Sequence, residues 1–372
     1  MNATLSPPIN FFDKDTRTAF ESKEIAQWIA FGPVVFQVAR VLRNTGILSL
    51  IQNAGAGGIS IGRIVEELEL PQYGVRVLLE SGLGIGLVTV ENHRYHITKT
   101  GYFILHDPLT KANMNFVHDV CYQGLHSLDK SIEHGAPEGL KHFGNWRTVY
   151  EGLSELPPHV QKSWFEFNHF FSDDAFHLVL PMVYSGKVKK LLDLGGNTGK
   201  WAIASAQYSK NVEIQIMDLP GQLNVARARV KELGLEDRIS FAPVNILDHK
   251  TSFPSGFDTI WMSQFLDCFS ETEIVSILKK CYHALDDDGT LIIMEPFWDL
   301  QKYKVAAFCL QQTSIYFTAI ANGNSQMYSS EVFFGCILAA GFEIVEQTDN
   351  IGLSQTLLKC KKIKSDTAPL SN

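Results

Sequence analysis

The chain is most easily bounded by what it lacks. Its six cysteines (Cys121, Cys268, Cys281, Cys309, Cys336 and Cys360) show no CxxC spacing and no histidine cluster, so no zinc site or disulfide framework is legible. No apolar run approaches the roughly 20 residues of a membrane span, because "WIAFGPVVFQVA" stops at Arg40. The opening "MNATLSPPINFFDKD" has no basic-then-apolar layout of a secretory signal. These absences lead to the expectation of a cytoplasmic protein with reduced thiols, no metal and no membrane partner. Positive charge is also short. Lys and Arg number 32 against 40 Asp and Glu, a formal net charge of −8, which argues against a nucleic-acid partner because phosphate binding needs a basic face.

What remains is ample for burial: 45% of the 372 residues are hydrophobic, enough for two domains rather than one. Apolar residues recur at helical spacing from Glu24 to about Arg43, predicting one helix there. A short helix at about Ile61 to Leu68, a tight turn at Leu70-Pro71 and a second helix carrying Val75, Val77, Leu78 and Leu79 come next. The alternating "LVTVENHRYHIT" then reads as a hairpin turning at Glu91-Asn92. Helix, turn, helix and two-stranded wing form a winged-helix pattern, which raises DNA reading. Between Ser60 and Thr100, however, Arg63, Arg76, Arg94 and Lys99 face Glu66, Glu67, Glu69, Glu80 and Glu91, so a packing or dimerisation role is expected instead. Residues 109–185 read as helical and aromatic-rich, with Pro157-Pro158 breaking the run and opening a second long helix. From Val188 short β runs alternate with helices, which builds an α/β domain on a parallel sheet covered on both faces. The last two runs, "FEIVEQ" and "QTLLKCK", leave no room for a helix between them and predict an antiparallel hairpin.

The stretch "KLLDLGGNTGKW" ends a strand and turns through three glycines in five positions. Ligands of doubly wound sheets bind at such strand ends, where a bare backbone allows close approach. A Walker loop fails, since the residue five before Gly199 is Leu194 and Trp201 replaces the hydroxyl that would hold magnesium. A GxGxxG fingerprint is weak, because its third position holds Asn197. DxGxxxG fits, as Asp193, Gly195 and Gly199, with the acid facing an amino-acid-like tail and the glycines admitting a ribose. Asp218 tips the next strand, 19 residues beyond Gly199, where a carboxylate accepts two hydrogen bonds from a ribose diol. A cap of the following helix is the lesser competing reading of Asp218; with the loop it points to an adenosine-type cofactor.

Together "LLDLGGNTG", "MDLPG", "ELGLEDRISF", "FLDCFSETEIVSILKKCYHALDDDGTLIIME" and "LAAGFE" resemble a class I S-adenosylmethionine (SAM)-dependent methyltransferase. The resemblance is to the small-molecule O-methyltransferase family that carries an N-terminal winged-helix dimerisation domain and includes the caffeate, hydroxyneurosporene and anthracycline enzymes. It implies a Rossmann-like seven-stranded sheet, a homodimer, SAM as cofactor and a small aromatic or hydrophobic acceptor. The implied division is 1–108 for the winged-helix domain, 109–185 for a helical connector lining the acceptor pocket and 186–365 for the SAM domain. The resemblance further implies that Asp193, Gly195, Gly196 and Gly199 line the methionine and ribose part, that Asp218 holds the ribose and that Leu219 packs on the adenine. Val244-Asn245 stands where the family has a Gly-Asp pair, with Ile246 next to it on the cofactor side, and Met262 and Ser263 would flank the cofactor from the fourth strand.

One departure matters. Where the family has His-Asp-Trp after the fourth strand, this chain has Leu266, Asp267 and Cys268, while Glu295 matches the carboxylate that orients that histidine. Three candidates for the proton acceptor follow: His169 in "FNHFF", Asp267 and Glu295. For His169 a packing role is the competing reading. Because alignment alone supplies on the order of 7–11 kcal/mol in well-oriented reactions, O-methylation is expected with C-methylation open, and a lapsed SAM-binding scaffold is the alternative. Gln312, Tyr316 and Asn322 are spaced to reach one pocket, and a buried hydrogen-bonding role unconnected with substrate is an equal reading.

Overall fold

The computed structural model describes residue 8, residues 11–248 and residues 251–364, the side chains of 171–174 excepted. It divides into two compact units, one of them Phe12–Asp119.

Within that unit the predicted first helix is two helices, α1 (Ala19–Ala30) and α2 (Gly32–Asn44), bent by 65°. The break falls at Gly32-Pro33, where the proline ring removes a backbone donor and displaces the carbonyl one turn earlier. Helices α3 (Ile47–Asn53), α4 (Ile61–Leu68) and α5 (Gln72–Gly84) follow. Ser60 caps α4 through the Arg63 N–H, and Pro71 stands at the N-cap of α5. The wing is β1 (Val88–Glu91) against β2 (Arg94–Ile97), and an antiparallel bridge from Ile59 to Tyr95 widens it. Its turn pair is Asn92-His93 rather than Glu91-Asn92. Both turn residues sit at positive φ (48° and 59°), as a type I′ hairpin requires. Helices α6 (Lys99–His106) and α7 (Pro108–Phe116) close the unit. Leu42, Ile47, Leu48, Ile64 and Leu79 are fully buried in its core.

In the second unit the predicted helical stretch is fragmented between 117 and 157. Its named α-helices are the short α8 (Leu128–His134) and α9 (Val149–Gly152). Gly135 in the left-handed region ends α8 and Pro137 follows it. Gly124 and Gly139 are backbone close contacts: a Cβ on Gly139 would lie 2.4 Å from the Gly124 carbonyl oxygen. The long α10 (Pro158–Val183) opens at Pro158 as expected.

The sheet then alternates with its helices: β3 (Lys190–Leu194), α11 (Lys200–Tyr208), β4 (Glu213–Asp218), α12 (Pro220–Glu232), β5 (Ile239–Pro243) and β6 (Phe257–Ser263). After them come α13 (Glu271–Ala284), β7 (Leu285–Glu295), α14 (Lys304–Tyr316), α15 (Ser330–Ala339), β8 (Phe342–Ile351) and β9 (Gln355–Lys362). Strand order is β5-β4-β3-β6-β7-β9-β8. The first five are parallel, and β9 runs antiparallel to both its neighbours, which gives the predicted terminal hairpin. The central strands are apolar on both faces because both are covered. Leu191, Trp261 and Ile292 pack under α10, α11 and α12, while Leu192, Ile260, Met262 and Ile293 pack under α13 and α15. The order reverses between β3 and β6, so the loops after these two strands diverge and leave a crevice.

Leu42→Ala, emptying a fully buried site of the Phe12–Asp119 core, is expected to cost about 2–5 kcal/mol. A denaturant titration followed by circular dichroism checks it, and an unchanged first midpoint would contradict the assigned core.

Candidate active site

The loop after β3 is shaped by what lies against it. Gly195, Asn197 and Gly199 all take positive φ (75°, 47° and 75°), conformations that glycine adopts freely and asparagine tolerates. A Cβ on Gly195 would meet the Phe265 ring at 2.2 Å, and one on Gly196 would meet the Asp193 carboxylate at 2.7 Å. Both positions therefore exclude a side chain. The Gly195 N–H donates to the Met217 carbonyl, which ties the loop to β4.

Asp193, Gly195, Gly196, Ser263 and His169 come together around one crevice. Asn168 and Phe176 of α10, together with Asn197, Thr198, Lys200, Trp201, Trp261 and Gln264, complete its wall. Trp201 and Trp261 stack face to face, centroids 3.8 Å apart and planes within 13°. Among the described residues, four buried polar atoms of this lining have no partner: Asp193 Oδ2, Asn197 Oδ1, Trp201 Nε1 and Ser263 Oγ. Native interiors rarely leave such groups unpaired, so the set describes a ligand that both donates and accepts. A nucleoside bearing a zwitterionic amino-acid tail has that chemistry, and the side-chain-free loop leaves room for it. SAM fits these residues.

Asp218 sits beside the crevice. Its Oδ2 accepts the Asn197 N–H (2.8 Å) and its Oδ1 the Leu219 N–H (2.6 Å). Burial pushes its pKa up and these two N–H groups oppose the rise. Leu219 is the N-cap residue of α12, and Gly199 packs near Ala226 on that helix. Asn245 is exposed, and its Oδ1 accepts the Leu247 N–H in a local turn. Ile246 is buried in the sheet core, its carbonyl held by Lys280 Nζ at 2.8 Å. Met262 is fully buried among core residues on the opposite face from Trp261, so Ser263 supplies the side chain that reaches the crevice.

Asp193 is 2% exposed, and its pKa is raised to about 8 by burial and then by the nearby Asp218 charge, with the Ala202 N–H opposing. A second acidic group lies past β6. Glu295, buried at the end of β7, accepts the Phe265 and Leu266 N–H groups at 2.9 and 2.8 Å. Burial, then the Asp267 charge, holds Glu295 well above the usual carboxylate range. Its work in this chain is to fix the turn that lays Phe265 across Gly195, in the place where an imidazole would otherwise be oriented. Leu266 is fully buried. Burial raises Asp267 to about 6, and Asp267 Oδ1 accepts the Cys268 S–H at 3.4 Å. The Tyr150 hydroxyl hydrogen-bonds the Cys268 thiol, and Asn322 Nδ2 donates to the Cys268 carbonyl at 2.6 Å. Tyr316 stands nearby, its hydroxyl accepting the Trp164 N–H at 2.7 Å. Of the three polar groups, none is among the residues that line the crevice: Tyr316 and Asn322 are engaged in internal hydrogen bonds and Gln312 is exposed.

Trp261, Asn168 and Gln264 were not singled out from the sequence, and Trp201 counted there only against a Walker loop. Trp261 was findable: it lies two residues before Ser263 on the same strand face. Gln264 announces itself only in the structure, by a positive φ of 46° at the strand's end.

Residues 173–343 match the O-methyltransferase domain family, and residues 23–95 match the Dimerisation2-like domain. The chain thus carries a Dimerisation2-like domain and an O-methyltransferase domain, and its relatives are SAM-dependent small-molecule methyltransferases. It is 28% identical over 320 residues to the L-tyrosine C(3)-methyltransferase of Streptomyces lavendulae, covering 85% of each chain. It is 24% identical over 234 residues to the bacteriochlorophyllide d C-20 methyltransferase of Chlorobaculum tepidum, covering 59% of this chain and 64% of that one. Among solved structures, the apo form of the S-adenosylmethionine-dependent methyltransferase SibL superposes with a TM-score of 0.68 at 24% identity, over 91% of this chain and 98% of that one, which establishes the fold.

The raised Asp193 pKa has a consequence for the ligand-free protein. The folded value near 8 exceeds the unfolded value of about 3.9, so the folded state holds the extra proton and stability is lost as pH rises from about 4 to 8. Asp193→Asn removes that loss. Relative to wild type, the variant should gain stability progressively from pH 5 to 8, reaching on the order of a few kcal/mol. Parallel stability–pH curves for the two proteins would contradict the assignment.

Proposed function

We propose that the acceptor is a phenolic ring and that the methyl group goes to a ring carbon. The observation that carries this reading is the state of the segment after β6. Leu266 is buried and apolar where a base would stand, and Glu295 spends Oε1 on two backbone N–H groups while its buried Oε2 has no partner among the described residues, so no imidazole stands between that carboxyl and an attacking oxygen. Two relatives support it by their names, one acting at C(3) of L-tyrosine and the other at C-20 of bacteriochlorophyllide d.

SAM, when bound, supplies an electrophilic methyl on a sulfonium. Asp193, Gly195, Gly196 and Gly199 hold its methionine and ribose portion, Asp218 its ribose hydroxyls, and Leu219, Asn245 and Ile246 border the adenine; Ser263, with the Met262 backbone, flanks the tail. Asp267 takes the phenolic proton as the ring carbon attacks. With a pKa near 6 it is ionised at neutral pH and still basic enough to share that proton as the ring becomes more acidic. His169, on the crevice wall, orients the acceptor ring. The methyl–sulfonium bond breaks to leave S-adenosylhomocysteine, the ring-carbon proton then leaves to solvent as the dienone rearomatises, and Asp267 returns its proton to the phenolic oxygen.

A homodimer completes the reading. The Dimerisation2-like match and the exposed Phe20, Ile29 and Phe31 on and beside α1 support burial of that apolar surface against a second copy. The six free thiols accord with a cytoplasmic location.

Incubation with methyl-labelled SAM and a panel of phenols that includes L-tyrosine, followed by NMR of the product, tests the regiochemistry. A methyl on a ring carbon is expected. A methoxy product would overturn it.

A further inference from the structure

The indole N–H of Trp201 poses a definite question. Trp201 is 3% exposed, and its Nε1 has no hydrogen-bond partner among the described residues. An indole can only donate, and a buried one normally finds an acceptor. The ring is held in place by the face-to-face stack on Trp261 and by the edge of Phe176 at 5.3 Å and 67°. The missing acceptor must therefore come to the indole.

The crevice sorts its polar groups by type. Asp193 Oδ2 and Asn197 Oδ1 are unpartnered acceptors, and Trp201 Nε1 is an unpartnered donor. Ser263 Oγ can be either, and Lys200, a cation, lines the same wall. Lys200 and Trp201 also open α11, whose first turn carries the positive end of the helix dipole. An α-amino acid end presents an ammonium and a carboxylate one carbon apart, and the two sets suit these two charges. Asp193 suits the ammonium, which leaves the carboxylate for the donors.

We propose that Trp201 Nε1–H, assisted by Ser263 Oγ, binds the carboxylate of the cofactor's methionyl tail, so that the site selects nucleosides carrying an intact amino-acid end. This rests on SAM being the ligand of the crevice.

Calorimetric titration with S-adenosylhomocysteine and with 5′-methylthioadenosine, which shares the nucleoside but lacks the amino-acid tail, separates recognition from packing. Trp201→Phe should weaken S-adenosylhomocysteine about 10-fold while changing methylthioadenosine less than about 2-fold. An equal loss for both ligands would mean that the ring only packs, and no loss for either would mean that the N–H faces nothing; each overturns the proposal. If Trp201→Phe fails to fold, benzothienylalanine at position 201 keeps the ring shape, removes the N–H and must give the same tail-specific loss. Failure of the wild-type protein to bind S-adenosylhomocysteine at all would instead count against the cofactor assignment.

Discussion

The site depends on carboxylates held out of water at the ends of parallel strands with no cation among the groups that shift them. Asp193 and Asp218 tip neighbouring strands, and Asp267 and Glu295 occupy the turn after β6 and the end of β7. Burial leads the causes that raise each pKa, and what opposes it is backbone N–H groups and one thiol. Isolated buried charge is costly, so such groups persist where a ligand or a reaction uses them. Here the two pairs do different work. Asp193 and Asp218 flank the glycine loop, to which the proposed reading assigns a cationic nucleoside, whereas Glu295 organises a turn and Asp267 is the acid to which that reading gives the acceptor's proton.

This division explains how a familiar fold accommodates an altered catalytic segment. With Leu266 in place of an imidazole, the neighbouring carboxylate would lose its partner. Instead Glu295 accepts backbone N–H groups from Phe265 and Leu266, and the held Phe265 ring covers Gly195. The substitution at the base and the shape of the cofactor loop are thus coupled through one turn. Asp267, Cys268 and Tyr150 form a hydrogen-bonded chain in the vacated neighbourhood.

Much of this was legible in the sequence, for physical reasons. Apolar runs such as "KLLDL" and "FDTIWMS" are too short for helices and too apolar for one exposed face, so they read as central strands. The DxGxxxG loop and the following acid were readable because few residue types allow a backbone turn against a ligand. The break at Gly32-Pro33 was visible too, yet hydrophobic periodicity carried the helix through it. The fragmentation of 117–157 escaped because aromatic and histidine residues fit helices and irregular packing equally well. The Trp201–Trp261 stack joins residues 60 apart and leaves no mark in local patterning. Neither does the turning of Glu295 toward backbone, since hydrogen-bond direction is a property of the folded chain.

If the buried acids at the strand tips await a cation, filling the crevice must ionise Asp193. Calorimetry of SAM binding at pH 7 in buffers of different ionisation enthalpy measures this directly. With Asp193 near pKa 8 before binding, close to one proton should leave the protein for each SAM bound. Binding with no proton exchange would contradict the account at its base.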